Sequence, residues 1–216
     1  GKVYMKYDIA YNRLHTMGDW LEMESFNSNK IMEELKPYNN DWKPYNVRKP
    51  NNRWGLSITS LDGGLSGIPD LDSLYEYNKD NDVEITNQDI KTYTSVYETM
   101  PTLQKVIEPW KPWLGRCHFL KLNAGGYFPE HYDINKLDYN YDDTRLIGFV
   151  NNSSKYTMKF LYEDKLKEVK NGSLHWFNAS KRHSVFSMKD DCIMIVMCLK
   201  FDEKLFETII NQYRLQ

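Results

Sequence analysis

A chain of 216 residues, 41% of them hydrophobic and 14% aromatic, has the length and the material to bury one sizeable core. Its formal net charge of -2 and pI near 6.2 give no bulk attraction to nucleic acid or anionic lipid. A mean hydropathy of -0.69, with no run near the ~18 apolar residues that span a bilayer, argues against a membrane protein.

The opening residues, Gly1 to Asp8, hold no apolar signal-peptide core. Ile31, Met32 and Leu35 recur at helical spacing, which predicts a helix over Asn27–Leu35 stopped by Pro37. Tyr38 to Asn52 follows as a polar loop, long enough to be a lid or a wrapping segment pinned by Trp42 and Tyr45. Arg53 to Leu61 alternates as a strand and turns at Asp62-Gly63-Gly64. Helices are predicted over Leu71–Tyr77, Asn87–Tyr93 and Pro101–Glu108, the last ending before Pro109.

From Arg116 the texture changes. Short strands are expected over Arg116–Leu122, Thr144–Asn151, Tyr156–Tyr162, Gly172–Phe177, Arg182–Ser187 and Cys192–Phe201, the spacing of an all-β sandwich or barrel. Asp202 to Tyr213 then reads as an amphipathic helix that packs on the sheet through Leu205, Ile209, Ile210 and Tyr213. The expected organisation is one domain: a helical and loop jacket with an added strand over residues 1–100, a β core over 101–201 and a closing helix over 202–216. Cys117, Cys192 and Cys198 lie in apolar segments and form no CxxC pair, so they read as buried reduced thiols of a cytoplasmic protein.

The chemistry centres on residues 117–133, an alternating strand, a Gly125-Gly126 turn and an extended piece ending in His131-Tyr132-Asp133. In extended chain the period is two, so His131 and Asp133 share a face with backbones roughly 6.7 Å apart. A second histidine must come from elsewhere, and His183 on a later strand is the best candidate. Two histidines and one carboxylate on one side of an ion form the ligand set of non-haem Fe(II) oxygenases.

Leu122 to Asp133, with its Ala-Gly-Gly and His-x-Asp, resembles the corresponding signature of the aspartyl/asparaginyl β-hydroxylase branch of the 2-oxoglutarate and Fe(II)-dependent oxygenases. Thr144 to Asn152 is similar to that family's next strand, and Gly172–Asn178 leading to His183–Ser187 to its distal-histidine segment. The resemblance covers about residues 101–200. It implies a mainly β fold with flanking helices around a double-stranded β-helix, the jelly roll of cupins. It also implies Fe(II) held by His131, Asp133 and His183, 2-oxoglutarate and O2 as cosubstrates, and hydroxylation of an amino acid, peptide or protein side chain. His183 is preferred to His175 because Ser184 to Ser187 follows it as the family pattern requires.

One departure stands out. The family places an arginine about ten residues beyond the distal histidine to pair with the far carboxylate of 2-oxoglutarate, but here the chain reads Lys189-Asp190-Asp191-Cys192. A carboxylate buried without a cationic partner is costly. Arg145 is the first candidate for that role and Lys159 the second. Arg116, His118, Trp54 and Ser57 are weaker candidates to line the pocket. Two alternatives stay open: a non-catalytic cupin-like binding module, and a Zn2+-dependent hydrolase for which Glu130 is the only nearby carboxylate, pointing away from the His131 face. Specificity is expected from Tyr38–Asn52 and Lys136–Asp143.

Overall fold

The computed structural model describes residues 13–14, 16–133 and 143–214; the expected specificity segment 136–143 therefore lies, but for Asp143, outside the described residues. Two antiparallel sheets dominate. The large one has seven strands in the order β1 (Trp20–Glu22), β11 (Ser173–Phe177), β8 (Asp143–Asn151), β13 (Cys192–Lys200), β6 (Leu114–Leu122), β3 (Arg53–Ser57) and β2 (Lys43–Pro44). The small one runs β10 (Lys165–Lys167), β9 (Met158–Tyr162), β12 (His183–Ser187), β7 (Tyr127–His131). A two-stranded ribbon pairs β4 (Thr59–Ser60) with β5 (Thr92–Tyr93). The facing sheets form the double-stranded β-helix.

Alternation in the central strands explains why their sequences are almost continuously apolar. In β6, Cys117 and Phe119 face the helices while His118, Leu120 and Leu122 face the small sheet; in β13, Ile193, Ile195 and Met197 face out while Met194, Val196 and Cys198 face in. The outer layer consists of α1 (Ser28–Leu35), α3 (Ser95–Thr99), α4 (Pro101–Ile107), the 3-10 turn Glu108–Trp113 and α5 (Glu203–Arg214). Ile31, Leu35, Leu103, Ile107, Trp110, Leu205 and Ile209 from these elements are buried on that face. Tyr213 packs at its margin. The inner layer joins Leu120, Ile147, Phe149, Phe160, Phe177, Val185 and Met194 between the sheets.

The N-terminal hundred residues do more than cover the core, because β1, β2 and β3 all extend the large sheet. The expected strand over Arg53–Leu61 breaks at Ile58, whose amide bonds Cys117 O at 2.9 Å, after which Thr59 and Ser60 leave to pair with β5. The expected helix at Leu71–Tyr77 is α2 (Leu74–Asn81), shifted to begin after Ser73, whose hydroxyl accepts from the Glu76 amide. Asn87–Tyr93 is not a helix. Thr86 to Asp89 forms a single turn, with Asp89 Oδ2 on the Thr86 amide at 2.8 Å and its hydroxyl at 3.1 Å, and the chain then extends so that Thr92 and Tyr93 pair with β4. The helix begun at Pro101 runs past Pro109 as a 3-10 turn instead of stopping there.

The glycine pair between β6 and β7 has two separate reasons. Gly125 has φ +81°, and a Cβ on Gly126 would stand 2.5 Å from Asn52 O and 2.8 Å from Asn123 O. The turn is also tied to β12, since Gly125 N donates to Ser187 O and Ser187 N to Gly126 O, each at 2.9 Å. Gly126→Ala is expected to destabilise the fold by about 1–3 kcal/mol, read as a lower denaturant midpoint; an unchanged midpoint would contradict the close packing at this turn.

Candidate metal centre

β7 carries an irregularity that strict alternation does not predict. Val185 lies opposite Phe128 and His183 opposite His131, so two steps on β12 face three on β7. The extra residue falls at Pro129–Glu130, where proline offers no amide to the ladder. Phe128 and His131 consequently both line the space between the sheets, while Glu130 stays half exposed and meets Arg182 at 3.7 Å. Asp133 sits just past the strand, its amide held by Ala179 O at 2.9 Å. Glu130 is thus poorly placed to serve a hydrolase as general base.

His131, Asp133 and His183 come together, with one donor atom from each within 4.8 Å of the others. His131 Nε2 is 3.0 Å from Asp133 Oδ1, and His183 Nε2 is 3.3 Å from Asp133 Oδ2. The far side of each ring is fixed in the same way: His131 Nδ1 lies 2.6 Å from Pro129 O and His183 Nδ1 2.9 Å from Lys181 O. A carbonyl oxygen only accepts, so each Nδ1 carries a proton, and the neutral form of each ring, the form that binds a metal, turns its Nε2 lone pair toward Asp133. Two nitrogen lone pairs and a carboxylate facing one another call for a positive charge among them. A divalent cation fits that donor set, and backbone carbonyls behind the rings are the usual support of metal-bound histidines.

Asp133 is held from the other side by Arg145, whose Nε donates to Oδ2 at 2.9 Å and whose Nη1 reaches Cys198 Sγ at 2.8 Å. Burial would push the Asp133 carboxyl up, but the Arg145 guanidinium beside it holds it well below the usual range. Arg145 therefore lines the same space between the sheets, with its Nε already committed to Asp133. Lys159 does not reach the site. It lies on the face of β9 opposite Phe160, and its ammonium donates to Lys155 O, which corrects its assignment as a cosubstrate base.

The cluster opens into a cavity of about 370 Å³ between the sheets. Its apolar wall is Leu120, Ile147, Phe160, Val185, Met194 and Val196, and its rim includes Tyr45, Asn46, Ser73 and Leu74 from the N-terminal segments. Arg116 and His118 line it too. Arg116 donates to Asp70 O and Asp72 O, both at 2.7 Å, while burial and then the charges of Arg116 and Arg145 keep His118 neutral. Trp54 and Ser57 are not among the lining residues; Ser57 donates to buried Asp70 instead. Arg53, Phe128 and Cys198 are lining residues that sequence reasoning did not single out as site residues. For Arg53 a usable signal existed, a charge opening a strand that must be buried.

His175, the competing distal histidine, is buried 4.7 Å from the Trp20 ring and 5.7 Å from Phe149, with neither ring nitrogen bonded among the described residues. Burial, then Lys170 and Lys167, lower its pKa to about 4. Unfolded chain takes that proton near 6.5, so the unfolded state binds more protons between pH 6.5 and 4. Its share of stability is complete above pH 6.5 and declines as pH falls through that window. His175→Phe is expected to remove this decline, gaining about 3 kcal/mol on the wild type at pH 4 relative to pH 7. Parallel pH profiles of denaturant stability for the two proteins would refute it.

In comparisons with known proteins no family model matches the sequence, and no curated protein does. Among solved structures, the chain is similar to an oxidoreductase of the 2OG-Fe(II) oxygenase family from Burkholderia pseudomallei. The TM-score is 0.55 at 8% identity, covering 90% of this chain and 89% of that one. The likeness is one of fold. A Pseudomonas putida prolyl-4-hydroxylase matches with TM-score 0.46 and 13% identity over 85% of this chain and 94% of its own. A predicted oxalate decarboxylase from Thermotoga maritima matches with TM-score 0.33 and 12% identity over 44% and 74%. Among the described residues no helix is long and apolar enough to cross a membrane.

Proposed function

We propose that the protein is an Fe(II)- and 2-oxoglutarate-dependent dioxygenase that hydroxylates an amino acid, peptide or protein side chain. The observation that carries this reading is the convergence of His131 Nε2, His183 Nε2 and an Asp133 oxygen, with both Nδ1 atoms tied to backbone carbonyls. Two histidines and one carboxylate at the open end of such a barrel suit non-haem Fe(II). When bound, iron with 2-oxoglutarate and O2 supplies the oxidising power for inserting a hydroxyl group into a C–H bond.

The chain's own part is positioning and exclusion. His131 and His183 are directly paired across β7 and β12, so the strand register sets the spacing of the two nitrogens. Arg145 orients Asp133 and keeps it ionised. The wall from Leu120 to Val196 keeps water from the reacting groups, which strengthens each polar contact inside. Tyr45, Asn46, Ser73 and Leu74 at the rim are the residues placed to meet the substrate. The three cysteines are buried free thiols, in keeping with a cytoplasmic setting. Anaerobic addition of Fe(II) and 2-oxoglutarate should produce a weak visible charge-transfer band, and aerobic turnover should release succinate. Failure to bind either Fe(II) or 2-oxoglutarate would end the proposal.

A further inference from the structure

We infer that Arg53 anchors a carboxylate of the ligand that fills the cavity and, resting on the function proposed above, that this is the far carboxylate of 2-oxoglutarate. Arg53 opens β3, is 5% exposed and lines the cavity. Its Nη2 donates to Lys49 O at 2.6 Å, but its buried Nε has no hydrogen-bond partner. Among the described residues no carboxylate pairs with it. Two aromatic rings flank it: the guanidinium carbon lies 4.5 Å from the Phe128 ring centroid and 5.4 Å from that of Tyr45. Burial pulls its pKa down, the direction expected of a cation lacking a counter-ion.

A buried guanidinium without an anion is costly, and pairing with a ligand removes that cost. The other arginines lining the cavity are already engaged, and so are Arg48 and Lys159. Arg145 is committed to Asp133, Arg116 to the carbonyls of Asp70 and Asp72, Arg48 to Asp72 and Asp80, and Lys159 to Lys155 O outside the cavity. Position also favours Arg53. Phe128, in contact with the guanidinium, shares β7 with His131 and has its ring 6.5 Å from that imidazole, so one small dicarboxylate can meet both the metal ligands and Arg53. His118, whose ring lies 5.6 Å from Tyr45, and Asn46 also line the cavity, and among the described residues neither His118 Nδ1 nor Asn46 Oδ1, both buried, has a hydrogen-bond partner. The large sheet thus supplies, from β3, the cation that its late strand β13 lacks.

The test uses the full chain loaded with Mn(II), under which no turnover occurs, and compares binding of 2-oxoglutarate with 2-oxopentanoate, which has the same carbon chain without the far carboxylate. The wild type is expected to prefer 2-oxoglutarate by roughly 10- to 100-fold, the scale of hydrogen bonds to a charged group. Arg53→Met should bind both acids equally, at the weaker level, and Arg53→Lys should keep part of the preference. Mn(II) affinity should be the same in all three. Without ligand, Arg53→Met should melt no lower than the wild type, whereas a merely structural arginine would leave a hole on removal. A parallel series with glutarate and metal-free protein reads the anchor alone: melting should rise for the wild type and not for Arg53→Met. Glutarate stabilisation that depends on Arg53, without any 2-oxoglutarate preference, overturns the assignment to the cosubstrate. Equal behaviour of wild type and Arg53→Met in both series overturns the anchor itself. Absence of Mn(II) binding by the wild type is a separate failure, of the metal-centre reading.

Discussion

His183→Ala is expected to abolish metal-dependent succinate release and to weaken Fe(II) or Mn(II) binding by more than about 100-fold, the upper range already seen for losing a residue that merely supports a ligand. The size follows from the geometry. Among the described residues three donors converge, His183 Nε2 faces the same Asp133 oxygen that Arg145 holds, and its ring is fixed by Lys181 O behind it. The ring is also part of the packing, parallel to Phe160 at 6.3 Å and edge-on to Phe177 at 5.1 Å, so some stability is lost as well. Metal affinity should therefore be measured by titration calorimetry on folded protein, below the melting temperature of the variant. His175→Phe provides the contrast: that histidine is as deeply buried but packs against Trp20 outside the donor set, and its replacement should leave metal affinity alone. If His183→Ala bound Mn(II) as the wild type does, the donor set would be misassigned.

The parts of this molecule that were legible in the sequence are those where one local pattern has one physical solution. β6, β8 and β13 are buried on both faces, so their apolar runs between turn residues identify them as strands. His131 and Asp133 were legible because two residues apart in extended chain means one shared face. The three-residue strand β1 was not, since Trp20–Glu22 is extended only by pairing with Phe177, Trp176 and His175 on the sheet edge. Asn87–Tyr93 has an apolar spacing that suits a helix, but its end is held extended by pairing with Thr59 and Ser60 of β4. The bulge on β7 and the unpaired edge of Arg53 were hidden for a common reason. Each depends on what the facing strand presents, and spacing along one strand carries no record of its neighbour.

Arg145→Met is expected to show how far that hidden layer supports the centre. The Arg145–Asp133 pair is largely buried, with side chains 15% and 18% exposed, and removing one partner of such a pair leaves the other charge uncompensated. The metal-free variant should lose about 3–5 kcal/mol of unfolding free energy. Metal affinity should fall roughly 10- to 100-fold, because Asp133 Oδ2 loses its charge-assisted hydrogen bond and the carboxylate is free to turn away from the two Nε2 atoms. The two effects are linked. A bound dication replaces part of the missing positive charge, so saturating Mn(II) should raise the stability of the variant, at a concentration scaled to its weaker affinity. Arg145→Lys should rescue little, since a compact ammonium cannot bond Asp133 and Cys198 from one planar fork. Denaturant titrations with and without Mn(II), alongside calorimetry, measure both quantities. Wild-type stability together with wild-type Mn(II) affinity in Arg145→Met would mean that Asp133 is held by its own backbone and the two imidazoles, and that the guanidinium beside it is free to serve another anion.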